Sequence, residues 1–158
     1  MDNSLLTKFQ GSDGKETLIE ALMAQPLVED EDLAARVATR CRLEEVPRGE
    51  SIICVGDEEN NFFFILDGEF DVVIGSRIVE KRGAGEHVGE LAMADPFAHR
   101  SATVVAAQDS LVARLTEAEF SAIATVCPRL WRRLALQLAK VVRAEDEALR
   151  SGATHLAA

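Results

Sequence analysis

The chain has 158 residues, of which 47% are apolar and 28% charged, and its formal net charge at pH 7 is −10. This length and apolar content predict one folded domain with a hydrophobic core and exclude a disordered chain. The negative charge repels nucleic acid phosphates and so disfavours general binding to DNA or RNA. The N-terminus lacks the basic and apolar regions of a secretory signal, and no apolar run approaches the ~18 residues of a bilayer-spanning helix. We therefore expect a cytoplasmic protein that makes no contact with a membrane.

The cysteines and histidines do not indicate a disulfide or a metal site. The three cysteines, Cys41, Cys54 and Cys127, lie far apart and form no Cys-x-x-Cys pair. We interpret them as small apolar residues in a reducing compartment. The three histidines are not spaced to meet on one strand face, so we expect no metal and no metal-dependent enzyme.

Residues 1–36 are predicted to form an N-terminal helical segment. Apolar residues recur at helical spacing over 17–22 and 31–37, with a break at Pro26. The polar stretch 11–14 is predicted to be a linker. Two or three short helices are expected.

Residues 37–116 change to short strand-like runs separated by turn residues. The predicted strands are 41–46, 51–55, 62–66, 69–74, 77–81, 101–107 and 111–115. Asp67-Gly68 between two of these runs is a strong hairpin signal. Short strands at this regular spacing predict an antiparallel sandwich or barrel.

Residues 117–150 return to a helical pattern, and 151–158 form a tail. Thr116 and Glu119 have the spacing of a capping box, which predicts a helix from 117 to about 126. Pro128 then opens a longer helix that can run to about Arg150. An apolar stripe follows one face of that helix: Leu130, Leu134, Leu138, Val141 and Val142.

The segment 85–105 contains the residues that carry the functional prediction. Within it, Val88 and the run Gly89-Glu90-Leu91-Ala92 come first, and Arg100-Ser101-Ala102 follow at the start of a predicted strand. A carboxylate accepts hydrogen bonds from sugar hydroxyls, and the N–H groups of a helix start can bind an anion. A guanidinium offers several donors to phosphate oxygens, and a serine hydroxyl adds another.

This segment resembles the phosphate-binding cassette of cyclic nucleotide-binding domains, and the resemblance extends over roughly residues 35–150. It implies a mainly β fold with flanking helices: a jelly-roll-like antiparallel β-roll, N-terminal helices and a long C-terminal helix. It also implies that Glu90 binds the ribose 2′-hydroxyl, paired with a nearby base that holds it ionised. Arg100 and Ser101 would bind the phosphate, and Ala102 would keep the pocket floor shallow.

The resemblance places Ile53, Val72 and Val79 near the base of the nucleotide, although plain core packing is the alternative. Arg82 stands where the family often has an apolar residue, so it either stacks on the purine or faces solvent. His99 stands where the family often has proline, and we interpret it as a surface loop residue.

The long helix is implied to supply a lid over the base, and it forms dimers in the family. The matching residues are Arg143, Glu145 and Asp146, of which either acid could accept a hydrogen bond from an adenine amino group. The alternative is a solvated charge run. A homodimer through 128–150 is one possible assembly.

The predicted function is a binding module that senses a cyclic nucleotide and shifts its C-terminal helices, with no catalytic residue. In the family, threonine at the position of Ser101 is associated with better cGMP binding, so the resemblance implies cAMP rather than cGMP. Only eight residues follow Arg150, which leaves no room for the DNA-binding domain of the family's transcription factors, so a free-standing sensor or a truncated one with an unknown effector is expected. The alternative is a degenerate, ligand-free β-roll that acts as a protein-interaction module.

Overall fold

The computed structural model describes residues 4–57, 59–95 and 102–152, which form two sheets flanked by helices. The chain begins with a short 3₁₀ helix, Leu5–Phe9. The α-helices are α1 (Gly14–Met23), α2 (Glu31–Arg40), α3 (Glu90–Ala94), α4 (Glu117–Val126) and α5 (Arg129–Arg150). The strands are β1 (Arg42–Val46), β2 (Ser51–Ile53), β3 (Asn61–Asp67), β4 (Glu69–Ile74), β5 (Arg77–Gly83), β6 (His87–Val88), β7 (Thr103–Ala106) and β8 (Ser110–Thr116).

All described strand pairs are antiparallel, and they divide into two four-stranded sheets. The first sheet has the order β1-β8-β3-β6, and the second has the order β2-β7-β4-β5. The predicted antiparallel β-roll with N-terminal helices and a long C-terminal helix is confirmed. Strands β5 and β6 end the two orders and are joined by a short turn, so the two sheets meet there.

The central strand β3 is buried on both faces, which explains its uninterrupted apolar sequence. Phe62 and Phe64 point to one side and pack with α1, α2, α4 and α5 in a cluster that we call the helical core. Phe63 and Ile65 point to the other side and pack against the second sheet in a cluster that we call the sheet core. The first sheet is thus the middle layer between the helices and the second sheet.

The predicted hairpin at Asp67-Gly68 joins β3 to β4. Gly68 has a φ of 96°, and a Cβ atom built on it would lie 2.0 Å from the Ser110 hydroxyl oxygen. Only glycine fits this close approach. The backbone N–H of Glu69 then donates to the same hydroxyl at 3.2 Å, which ties the hairpin to β8.

Helix α4 begins as the sequence predicts, and α5 begins one residue later than predicted. The Thr116 hydroxyl accepts from the Glu119 backbone N–H at 3.1 Å, and the Glu119 carboxylate accepts from the Thr116 N–H at 3.0 Å. This reciprocal pair is the predicted capping box. Pro128, with a φ of −59°, lies at the N-cap of α5 rather than inside it.

Several element ends differ from the sequence prediction for identifiable reasons. Strand β2 stops at Ile53 because the Cys54 N–H donates to the Asp57 carboxylate at 2.8 Å instead of extending the ladder. Strand β5 continues to Gly83 because its last residues pair with the start of β4. Strand β6, two residues long, was not predicted.

The helical segments also begin and end at different residues. Gly14, which was predicted to lie in the linker, is the first residue of α1. Helix α2 continues past Val37 to Arg40. Because Gly14 belongs to α1, the polar linker is shorter than predicted.

Candidate ligand-binding site

The candidate site is built on a sharp turn from β6 into α3. Gly89 has a φ of 95° and a ψ of 10°, a left-handed conformation that side chains other than glycine rarely adopt. The turn directs Glu90, the first residue of α3, into the protein, where only 4% of the residue is exposed. Val88 before the turn is completely buried, so the backbone on both sides of Gly89 is anchored.

The Glu90 carboxylate faces the guanidinium of Arg82, which comes from the neighbouring strand β5. Arg82 Nη1 lies 3.8 Å from Glu90 Oε1, and the exposed fractions of the two side chains are 12% and 5%. A buried carboxylate is stable as an anion only beside a positive charge or hydrogen-bond donors. Arg82 is thus the nearby base that the sequence analysis expected beside Glu90.

Arg82 makes further contacts that hold its side chain in place. Its Nη1 donates to the His87 carbonyl at 3.1 Å, and its Nη2 donates to the Glu80 carboxylate at 3.1 Å. Burial opposes the charged form of Arg82, but Glu90 and Glu80 outweigh it and raise the Arg82 pKa above its ordinary value. The solvent-facing alternative for Arg82 is therefore wrong.

His87 is the second buried titratable group of this region. Its ring stacks on Phe62 with centroids 5.3 Å apart, and its Nδ1 atom has no hydrogen-bond partner among the described residues. Burial, helped by the positive charge of Arg82, lowers the His87 pKa to about 4. The ring is thus neutral at pH 7 and acts as a packing group.

The apolar residues predicted to lie near a base are found in one place. Val72, Ile53 and Ala102 are buried in the sheet core together with Val88, and Val79 packs against it while partly exposed. All of them belong to, or pack against, one cluster between the two sheets. Their contact with a base stays a prediction.

The other cassette residues within the described ranges divide between two environments. Ala92 is buried in the helical core, whereas Leu91 is 40% exposed. Arg100, Ser101 and His99 lie outside the described residues, so their predicted roles stay predictions.

The predicted lid residues lie near the end of α5 and are mostly exposed. Arg143 and Asp146 face solvent, and Glu145 is half-buried. Asp146 forms an ion pair with Arg150 at 3.0 Å. In this arrangement Arg143 and Asp146 are solvated, and the role of the three residues as a lid stays a prediction.

The role of Arg82 beside Glu90 was not predicted, although the strand pattern contains a signal for it. Glu80 and Arg82 are two positions apart in β5 and therefore lie on the same face of the strand. Arg82 pairs with Phe70 of β4, which is completely buried, so this face is the inner one. Two opposite charges on an inner strand face predict a buried pair.

The described residues also limit what the site can hold. They contain no group of three or more histidine, cysteine, aspartate or glutamate side chains placed to bind a metal ion. None of their helices has the length and apolar composition to cross a membrane. What the geometry does offer is a fixed, buried carboxylate that can accept hydrogen bonds from hydroxyl groups.

Comparisons with known proteins point to one family. The family model described as "Cyclic nucleotide-binding domain" matches residues 43–125. The Pycsar effector protein BcPycTIR of Burkholderia cepacia is 41% identical over 137 residues, which cover 86% of this chain and 45% of that protein. The chain thus spans less than half the length of the first curated relatives it matches.

Solved structures share the fold. The catabolite activator protein of Thermus thermophilus aligns with a TM-score of 0.73 at 24% identity, over 80% of this chain and 62% of that chain. A cyclic nucleotide-binding domain from Methylobacillus flagellatus aligns with a TM-score of 0.72 at 21% identity, over 99% of this chain and 100% of that chain. At these identities the likeness shows the fold alone.

Proposed function

Because the chain belongs to the cyclic nucleotide-binding domain family, we propose that the turn from β6 into α3 binds a 3′,5′-cyclic nucleotide. The observation that carries this proposal is the Glu90 carboxylate, buried directly after the left-handed Gly89 and held beside Arg82. Burying an anion costs free energy, so buried carboxylates of this kind are found at functional sites. Binding of a ligand hydroxyl group is the function that we assign to this one.

The ribose and the phosphate are assigned to the two halves of the cassette. Glu90 accepts a hydrogen bond from the ribose 2′-hydroxyl. Arg100 and Ser101 donate to the phosphate oxygens, together with backbone N–H groups of 89–92, and Ala102 leaves space beside them. A fixed local cation is needed because the net charge of −10 repels an anionic ligand.

The base is assigned to the edge of the sheet core. Val79, which is partly exposed, is assigned to one side of a planar ring, the buried Ile53 and Val72 belong to the sheet core against which Val79 packs, and Val88 supports the turn. We propose cAMP as the ligand rather than cGMP, on the basis of Ser101 in the cassette.

The conformational response to the ligand is assigned to residues 117–150, which act as hinge and lid. A ligand that binds more tightly when α5 closes shifts the population toward the closed arrangement. Arg143, Glu145 and Asp146 then approach the base, where either acid can accept from an adenine amino group.

The assembly is proposed from the relatives and from the surface of α5. The names of the curated relatives describe effector proteins, and we propose that this chain is the sensing part of an effector of that kind. The chain then binds its ligand without transforming it. Exposed apolar residues on α5, Trp131, Leu136, Val142 and Leu149, support contact with a second copy or with an effector partner.

Calorimetric titration with cAMP and with cGMP tests the site. We expect micromolar or tighter binding to the wild type, with cAMP the stronger ligand. Arg100→Ala and Glu90→Gln should each weaken binding, the former by at least ~2 kcal/mol because a charge-assisted phosphate contact is lost.

Arg77→Ala, at the exposed start of β5, is the matched control and should bind like the wild type. Equal affinity of Arg100→Ala and the wild type would reject the assigned site. Absence of binding to either nucleotide would favour the ligand-free interaction module.

A further inference from the structure

Arg82 occupies a buried position, where a charged side chain costs free energy of desolvation. It lies on the inner face of β5, opposite the completely buried Phe70, and only 12% of its side chain is exposed. Removing a guanidinium from water costs several kcal/mol unless opposite charges and acceptors replace the water. The structure provides such groups on two sides of it.

The contacts of Arg82 connect three separate elements around the site. On one side, Nη2 donates to Glu80 of its own strand at 3.1 Å. On the other side, Nη1 donates to the His87 carbonyl of β6 at 3.1 Å and lies 3.8 Å from Glu90 Oε1 at the start of α3. The guanidinium therefore fixes both the backbone before the turn at Gly89 and the acid after it.

Within the described contacts, the guanidinium reaches the ligand site through Glu90. Glu80, the partner on the far side, is more exposed, with 38% of its side chain accessible. Arg82 thus lies between the half-exposed Glu80 and the buried Glu90. A side chain that one partner holds in place in this way can fix the orientation of its other partner.

We propose that Arg82 is the positioning residue that keeps Glu90 ionised and oriented to bind the ribose 2′-hydroxyl, so that Arg82 sets the preference of the site for ribose over 2′-deoxyribose. This inference rests on the proposed function, because it requires that Glu90 meets the ribose. Arg82 acts through Glu90 and does not itself touch the phosphate.

The test compares cAMP with 2′-deoxy-cAMP, by calorimetry, on the wild type and on Arg82→Met. The wild type should bind cAMP at least ~10-fold more tightly than the deoxy analogue, since one hydrogen bond to a charged group is lost. Arg82→Met should lose about that factor for cAMP and less than about 2-fold for the deoxy analogue. A residue with a merely structural role would weaken both ligands equally.

A second variant removes the risk that an unpaired buried carboxylate prevents folding. The double variant Arg82→Met/Glu90→Gln leaves no uncompensated charge in the pair. Its affinity for cAMP should equal that of Glu90→Gln alone, because Arg82 has nothing left to orient. Arg77→Met, on the exposed start of the same strand, should retain the full preference for ribose.

The outcomes separate the two proposals. Equal loss of both ligands in Arg82→Met, or an undiminished preference for ribose, would overturn the role of Arg82 while leaving cyclic nucleotide binding intact. A further loss of cAMP affinity in the double variant relative to Glu90→Gln would also overturn it. A wild type that binds neither cAMP nor cGMP would refute the proposed function, and the role of Arg82 with it.

Discussion

His87 shows how a single residue in this region couples folding to pH. Its ring is buried against Phe62, and it carries no positive charge at pH 7 because its pKa lies at about 4. In an unfolded chain the same ring titrates near 6.5. The unfolded state therefore binds more protons between these two values, and protonation favours unfolding there.

We predict that His87→Phe removes part of the acid sensitivity of the fold. The contribution of His87 to stability is complete above about pH 6.5 and is lost as the pH falls toward 4, by at most about 3 kcal/mol. Phenylalanine keeps the stack on Phe62 but does not titrate. Urea unfolding at pH 7 and at pH 4.5 should give a smaller difference for the variant than for the wild type. The same pH dependence in both proteins would mean that the wild-type ring stays accessible to protons.

An ion-pair cluster joins the start of α2 to the start of α5. Arg129 binds both carboxylate oxygens of Asp30, at 2.8 and 3.0 Å, and Arg133 lies 3.2 Å from the same carboxylate. Arg133 also donates to the carbonyls of Leu27 and Val28 in the loop before α2. The Arg129 guanidinium lowers the Asp30 pKa well below its usual range. The base of α5 is thus tied to the N-terminal helices.

Asp30→Asn is predicted to weaken this cluster selectively. Asp30 also caps α2 through the Leu33 N–H at 2.8 Å, and asparagine retains such a cap while removing the charge. We expect a loss of ~1 kcal/mol in the free energy of unfolding at pH 7, a modest value because the pair is about one-third exposed. Because the Asp30 pKa is depressed in the fold, its contribution is complete above about pH 3.8 and is lost progressively as the pH falls below that value, so the difference between variant and wild type should shrink in stronger acid.

Asp146→Asn is the control for this measurement. It breaks an exposed ion pair within α5, between Asp146 and Arg150, and should cost less than ~0.5 kcal/mol. Urea unfolding of both variants at low and high salt checks the comparison. Equal effects of the two substitutions would show that the cluster at the base of α5 stabilises no more than a surface pair.

Across the whole molecule, aromatic rings in successive contact link the candidate site to the base of α5. His87 stacks on Phe62, Phe62 contacts Phe120 of α4, and Phe120 contacts Trp131 of α5, each with centroids 5.3 Å apart. Helix α3 packs against both α4 and α5. These contacts can transmit a shift of α3 upon ligand binding to the long helix α5.

Ligand binding is predicted to change the fluorescence of Trp131, the only tryptophan in the chain. Its ring is 36% exposed and rests edge-on against Phe120, so a movement of α5 alters its surroundings. Emission measured during a cAMP titration should follow the same dissociation constant as calorimetry, and Glu90→Gln should move both to higher concentration. Binding heat without any change in emission would mean that the base of α5 stays in place.

Most of the fold could be predicted from the sequence because its signals are local. Alternation and turn residues indicated most of the strands, and Thr116 with Glu119 marked the start of α4. The two-residue strand β6 and the end of β2 at Ile53 could not be predicted, since they depend on which partner takes the backbone hydrogen bonds.

For the candidate site, the sequence by itself determined the identity and spacing of the cassette, from Glu90 to Arg100, and with them the family. Only the tertiary structure decided what surrounds Glu90. Arg82 reaches it because the edge strands of two sheets meet, and Arg129 reaches Asp30 across 99 positions of chain. Pairings of this kind depend on the packing of distant elements, and burial makes each charge depend on its partner.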